Sequence, residues 1–357
     1  MKMKALRMML ALTGIAIACS AHAQITLNEP VKGPIAVGNK PGNPLTEMPD
    51  GQHLISPFGE RPVFSPDGRK IAFIADSYGD AYEYDMATGK IRNLTAHMAH
   101  RGFLRIHYLA DGSYLLLGPR LRGKTAAETR ESHIELFWMN KDADQPPVAL
   151  GVTVWEGIAT SRLSNRVAWG ELAPAGASGP EFKGIAMKQA EVVVDGAGAR
   201  LANVKDIATI NECWVEAQDF LPGDKGLTMP CYHIGSAHPA GVGTEVLSID
   251  FATKKITRYP TPPELYGEVE AIFPDSKRTL VECSSDRAAG MDLCILELKA
   301  DRPKYTRLTH IMDYGRWKYG NPVISPDGKK IASSIGPADV PEPGMALGIV
   351  LIDLPSR

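Results

Sequence analysis

No Gly-x-Ser-x-Gly occurs in these 357 residues, and no two cysteines stand in a CxxC spacing. The first absence removes the nucleophile elbow of the serine hydrolases. The second, with no His-Cys spacing to replace it, removes the common zinc sites. There is no basic stripe: Lys and Arg total 39 against 41 Asp and Glu. A nucleic-acid footprint needs such a stripe, so that partner class is excluded. Beyond the first twenty residues no run is apolar enough to span a bilayer, and no convincing amphipathic helix pattern is found.

The start of the chain reads as an export signal. Lys2, Lys4 and Arg7 precede an apolar stretch at 8–18, and Ala21-His22-Ala23 supplies a small-x-small cleavage site. Residues 1–23 are therefore expected to be removed, with Gln24 the first mature residue. That leaves 36 basic against 41 acidic residues, a net of −5. A rival reading takes Ile17-Ala18-Cys19-Ser20 as a lipobox and Cys19 as a lipid-anchored N-terminus. Either way the expected location is periplasmic or secreted, with an outer-membrane lipoprotein as the alternative. Four cysteines remain, and an even number in an exported chain suggests disulfides. Sequential pairing is expected: Cys213 with Cys231 across the Pro222-Gly223-Asp224-Lys225 turn, and Cys283 with Cys294. Four buried free thiols are the alternative.

What the chain does have is a repeated phrase. Val63-Phe64-Ser65-Pro66-Asp67-Gly68-Arg69-Lys70-Ile71-Ala72 returns as Val323-Ile324-Ser325-Pro326-Asp327-Gly328-Lys329-Lys330-Ile331-Ala332. Pro, Asp and Gly pre-set the dihedrals of a tight turn between two strands, which makes Asp67 and Asp327 turn formers and not catalysts. Four weaker copies place equivalents of Pro66 at 110, 162, 222 and 274, and with Pro326 the mean period is 52 residues. Periods in this range indicate a propeller or solenoid. A second hairpin follows in most copies, as in Asp85 to Ile91 around Ala87-Thr88-Gly89-Lys90, and four antiparallel strands make one blade. The sixth copy lacks its fourth strand, and residues 52–56 resemble a blade's last strand. The expected fold is all-β: a six-bladed β-propeller of four-stranded antiparallel blades at 52–357. Its ring is closed by an N-terminal strand at about 52–56, with a Gly/Pro-rich arm at 24–51.

These Ser-Pro-Asp-Gly turns, each followed by Lys or Arg and an apolar strand, resemble the TolB-like propeller family over roughly residues 52–354. The chain has no room for the α/β domain that precedes the propeller in TolB. The resemblance implies that the Ser-Pro-Asp-Gly turns lie on one face and that partners dock on the other.

The repeats align positions on that second face. Six residues before the reference position stand Glu60, Glu156, Glu216 and Glu268. Seven or eight before it stand Phe58, Phe103, Trp155, Trp214, Tyr266 and Tyr319. A carboxylate ring with an aromatic collar would suit a sugar or a cationic group, with Arg61, Arg101 and Arg316 as candidate counter-ions. The competing reading is repeated packing on innermost strands. A second constellation is His97-Met98-Ala99-His100-Arg101, with His133, His233, His238 and His310 also assigned to loops of that face. Histidines converging from several blades could hold a metal or act as acid and base. Oligogalacturonate lyases are similar in this respect, being propellers of related repeat type with a histidine-rich metal site, although they have seven blades. The loops at 118–133 and 171–189 are long enough to be binding elements, the first made basic by Arg120, Arg122, Lys124 and Arg130.

The sequence thus points first to a non-catalytic, monomeric propeller without cofactor. It would bind an envelope protein, a peptide or a glycan through Glu60, Glu156, Glu216, Glu268, Phe58, Trp155, Trp214, Tyr266 and Tyr319. The alternative is a carbohydrate-active lyase using a divalent metal and His97, His100, His233 and His310.

Overall fold

The structure, a computed structural model, describes residues 29–355 except 32, 175–182, 197, 236–237, 239–240 and 340–346. The export signal, Cys19 and Gln24 lie outside the described residues.

Six antiparallel sheets follow one another around a central channel. Blade one is built from Glu60–Phe64, Lys70–Ile74, Ala81–Asp85 and Ile91–Asn93, and blade two from Arg105–Tyr108, Tyr114–Pro119, Ile134–Met139 and Val148–Thr153. Blade three comprises Trp155–Thr160, Arg166–Leu172, Ile185–Asp195 and Gly198–Ile210. In blade four the inner strand is split into Trp214–Val215 and Asp219–Phe220, followed by Gly226–His233, Gly243–Asp250 and Ile256–Pro260. Blade five is Tyr266–Ile272, Arg278–Ser284, Asp292–Glu297 and Lys304–Arg307. Blade six takes Trp317–Ile324, Lys330–Pro337 and Gly348–Asp353 from the end of the chain and Gln52–Ser56 from its start. Gln52 stands opposite Ile352 and Leu54 opposite Val350. Gln52–Ser56 covers the edge of Gly348–Asp353 and becomes the short outer strand of the blade, and the buried Tyr319 hydroxyl donates to Gln52 across the blade.

The repeated turns owe their shape to side-chain bonds. Asp67 Oδ1 accepts from Ser65 Oγ at 2.7 Å and from the Arg69 N–H at 3.0 Å. Ser325, Asp327 and Lys329 repeat this at 2.6 and 3.1 Å. Gly68 and Gly328 both sit at φ +71°, a conformation that favours glycine. Their α-carbons also face the prolines of neighbouring turns, so that a Cβ would stand 3.4 Å from Pro326 and 3.2 Å from Pro274 respectively. The core lies between blades. Phe64, Ile71, Ala332 and Leu351, for example, are buried together where blade one meets blade six.

Three features depart from the sequence expectation. A helix, Ala126–Ser132, interrupts blade two, with Thr125 Oγ1 capping Glu128 N–H at 3.0 Å. The stretch at 171–189 is not all loop, because Leu172 pairs with Ile185 and the third strand of blade three begins there. Buried Ile185 and Met187 alternate with half-buried Ala186 and Lys188, a period-2 signal too short to read beside its polar neighbours. The arm also adds to a sheet: Glu29–Pro30 pairs with Lys304–Arg307 as a fifth strand of blade five, and Ile35 is buried in the core behind it.

Candidate functional site

The innermost strands carry the site, and they do so through a repeated irregularity. Register breaks fall between Glu60 and Val63, Trp155 and Ile158, Val269 and Ala271, and Gly320 and Val323. In blade four the strand itself is interrupted around Glu216-Ala217-Gln218. Arg61, Glu156 and Asn321 occupy the left-handed region, at φ 52°, 60° and 46°. Such bulges re-aim side chains, and non-glycine residues held there carry strain the surroundings must offset. In blades one, three and four the glutamate six residues before the turn stands at this irregularity, whereas in blade five the break falls at Glu270, two residues after Glu268.

All four repeated glutamates line one channel cavity of about 460 Å³, with Glu282, Trp155, Trp214 and Tyr319. Trp155 and Trp214, from neighbouring blades, lie with ring centroids 4.9 Å apart, inclined at 41°. The two disulfides form as expected, Cys213–Cys231 and Cys283–Cys294. Each stands directly behind the cavity wall. Trp214 and Tyr232 follow the first pair of cysteines and face each other across the sheet. The second pair closes a loop that carries Arg287.

The carboxylates are not a bare ring. Arg61 Nη1 lies 2.8 Å from Glu60 Oε1, Arg105 Nη2 3.3 Å from Glu216 Oε2, and Arg130 Nη2 2.5 Å from Glu156 Oε2. Tyr232 Oη is 2.7 Å from Glu216 Oε1 and 2.5 Å from Glu268 Oε1, and Tyr266 donates to the other oxygen of Glu268. A phenol has one proton, so it donates to one of two carboxyl groups only. Satisfying both contacts requires one of the two carboxyl groups to be protonated and to donate to Tyr232, which in turn donates to the other. The electrostatics agree. Burial pushes Glu216 up to about 7 despite Arg105, with Glu156 and Glu268 adding to the rise. Burial and the charge of Glu268 raise Glu282 to about 7, and burial beside Glu282 and Glu268 holds Glu270 well above the usual range. At Glu156 burial acts upward too, but the charge and hydrogen bonds of Arg130 outweigh it and hold the group below its ordinary value.

Two groups among the described residues have metal-ligand spacing. In the first, Cys231 with His233 and Glu245, the sulfur is consumed by the disulfide. In the second, Glu268, Glu270 and Glu282 bring oxygens within 4.8 Å of one another, all three buried.

The other candidates are dispersed. Phe58 packs on the rings of Phe73 and Tyr82, 5.7 and 5.0 Å away, Phe103 is buried beneath His100, and Tyr266 is fully buried. These three do not line the cavity. Pooling residues seven and eight before the turn mixed two faces, because one residue reverses a strand side chain. Of the three at seven, Trp155 and Tyr319 line the cavity; of the three at eight, only Trp214 does. Arg101 and Arg316 are exposed, and Arg316 donates to the Ala288 carbonyl at 2.9 Å and not to a glutamate. His97 is exposed, His100 lies 2.9 Å from Asp80, His233 3.7 Å from Glu245, and His310 3.7 Å from Asp313. His133 caps the helix end. No three-ligand group among the described residues holds two histidines. In the basic loop Arg120 pairs with Glu135 and Arg122 donates to the Tyr78 and Arg101 carbonyls, so Arg130 is the one that enters the cavity.

Arg105, Arg287, Lys318, Tyr232 and Glu282 escaped the sequence reading, which had Arg130 only as part of a basic loop. Arg105 had a signal, since it stands five residues before its blade's reference position as Arg61 does.

No family model matches the chain, and no curated protein matches it. Solved structures do. A protein assigned as TolB from Agrobacterium tumefaciens is 16% identical with a TM-score of 0.50, over 72% of this chain and 78% of its own. A gluconolactonase from Xanthomonas campestris is 11% identical with a TM-score of 0.52, over 92% and 99%. A puromycin-hydrolyzing peptidase from Mycobacterium tuberculosis is 14% identical with a TM-score of 0.50, over 83% of this chain and 42% of its own. At these identities the likeness is one of fold, a TolB-like propeller.

Proposed function

We propose that this chain is an exported binding module whose ligand, a protein segment, peptide or glycan, enters the channel mouth beside Trp155 and Trp214. One observation carries this reading. Glutamates from four blades and an aromatic pair from two meet at a single concave cavity, the geometry expected of a ligand site. The tryptophans offer an apolar face, and the fixed ion pairs offer directional bonds. No comparable assembly supports the metal-dependent lyase, whose histidines His97, His100, His233 and His310 lie apart. A monomer in the periplasm or outside the cell, without nucleic acid as partner, accords with the closed ring and the two disulfides.

The test is titration of the mature protein with peptide and oligosaccharide panels, followed by tryptophan fluorescence. Binding should perturb the emission and be weakened at least tenfold in Trp155→Ala and Trp214→Ala. A ligand whose affinity ignores both substitutions would place recognition elsewhere. Turnover of a bound glycan would replace the binding reading with an enzymatic one.

A further inference from the structure

By composition the cavity wall is balanced: Glu60, Glu156, Glu216, Glu268 and Glu282 face Arg61, Arg105, Arg130, Arg287 and Lys318. The pairing is not. Three arginines are matched to three glutamates. Glu268 takes its bonds from Tyr232 and Tyr266, and Glu282 accepts from the Asn321 N–H at 2.6 Å. The carboxylates thus take their bonds without Arg287 or Lys318, and among the described residues the one carboxylate oxygen of this wall that is buried without a partner is Glu60 Oε2. Among the described residues neither of these two cations forms an ion pair or donates a side-chain hydrogen bond, and the one specific contact is Arg287 over the Tyr266 ring at 5.1 Å. They also feel each other. Burial, together with the positive charge of Arg287, pulls Lys318 below the usual ammonium range, against the opposing charges of Glu282 and Glu60. Arg287, exposed at the mouth, and half-buried Lys318 share the cavity wall with no carboxylate at ion-pair distance, and Glu268 and Glu282 act on them only through space, which leaves a place for an anion between them.

We infer that the mouth cavity takes a carboxylate-bearing ligand, its carboxylate held between Arg287 and Lys318 and its ring or apolar body against Trp155 and Trp214. The inference rests on the binding reading above and adds the sign and class of the ligand. A planar guanidinium suits a carboxylate by parallel bonds, and an ammonium supplies a compact second charge. A cationic ligand would meet these same two groups and be repelled, so the carboxylate ring suggested by the sequence does not select for positive charge. The protons held at Glu216 and Glu282 near neutrality shift the wall further toward positive. Two sources share this chemistry, a peptide C-terminus and a sugar acid.

The shared chemistry is tested with benzoate against benzamide, which have the same ring without the same charge. Calorimetry and tryptophan fluorescence on the intact mature chain should show benzoate bound at least tenfold more tightly. Arg287→Gln and Lys318→Gln should each erase most of that ratio while leaving benzamide unchanged, and Lys318→Arg should retain it. Circular dichroism of each variant separates lost binding from lost folding. A dipeptide with free or amidated C-terminus, and glucuronic acid against glucose, then distinguish the sources by which pair shows the larger ratio. An equal affinity for benzoate and benzamide overturns the inference, as does a ratio that survives both Gln substitutions, or an absence of binding by every carboxylate probe. If neutral ligands bind in a Trp155-dependent way with no preference for charge, the binding module stands and the carboxylate place falls.

Discussion

Arg130, on the helix that interrupts blade two, sets its Nη2 2.5 Å from Glu156 Oε2 on the innermost strand of blade three. Both side chains are mostly buried, and Glu156 holds a left-handed backbone. The contact pins a loop helix to a neighbouring blade and supplies the counter-charge that keeps Glu156 ionised. Arg130→Met should therefore destabilise the fold by about 3 kcal/mol, the usual scale for stranding a buried charge. Arg130→Met with Glu156→Gln should recover much of the loss. Chemical denaturation of the four-member cycle measures both, and a double-variant loss equal to the sum of the two single losses would mean the two residues act independently.

Stability should rise as pH falls from 8 to 6.5. Glu216 and Glu282 have folded values near 7, above those of an unfolded chain, so the folded state takes up protons first. A group raised in this way contributes most below its unfolded value and loses that contribution as pH climbs through its folded value. Each glutamate should give on the order of 1 kcal/mol across this window. His107 is held down to about 3 by burial and by Arg105, and it opposes the trend only below its unfolded value, near pH 6.5. Thermal unfolding of wild type and Glu216→Gln tests the assignment, since the variant should lose its share of the slope. An unchanged slope would mean Glu216 is not the titrating group.

Each disulfide should be worth about 3 kcal/mol, as expected for short closed loops. Cys213→Ser with Cys231→Ser should also loosen the Trp214–Tyr232 contact behind the cavity, visible as a shift in tryptophan emission. The corresponding change at Cys283 and Cys294 should leave that emission alone while freeing the loop of Arg287. Denaturation midpoints and spectra together separate the two effects.

Removing residues 29–56 should leave Gly348–Asp353 as an unpaired edge. Exposed edges recruit other chains, so the truncated protein should elute from a sizing column as oligomers while the intact ring elutes as one species. A monodisperse truncated monomer would show that the closing strand is dispensable.

The blades were legible because turn chemistry is local: Ser65, Asp67 and Gly68 specify their bend without help from the rest of the chain. Closure by residues 52–56 was legible because a missing strand at one end matched a spare strand at the other. The glutamates stood out by repetition, and in blades one, three and four the register that betrayed them proves to be an irregularity of the strand. The cations beyond Arg61 and Arg105 did not repeat. Arg130 rides on a helix within one blade's loop, Arg287 on a loop closed by a disulfide, and Lys318 at the start of a strand. Their convergence is a property of the ring and of no single segment. Burial of Phe103 and Tyr266 was likewise invisible, because it comes from packing against residues distant in the sequence.

The arm has a mechanical meaning. From Glu29 it runs along blade five, tucks Ile35 into the core, and continues directly into the strand that shuts blade six. Tension applied at its outer end would meet these attachments in series: a two-residue pairing, then Ile35 and the bonds of the Gly38 and Lys40 N–H groups to Met312 and Asp313, then the seam of the ring itself. The weakest catch comes first and the closure last. A tug on this end is thus absorbed in small steps before it can reach the latch that keeps six blades a circle.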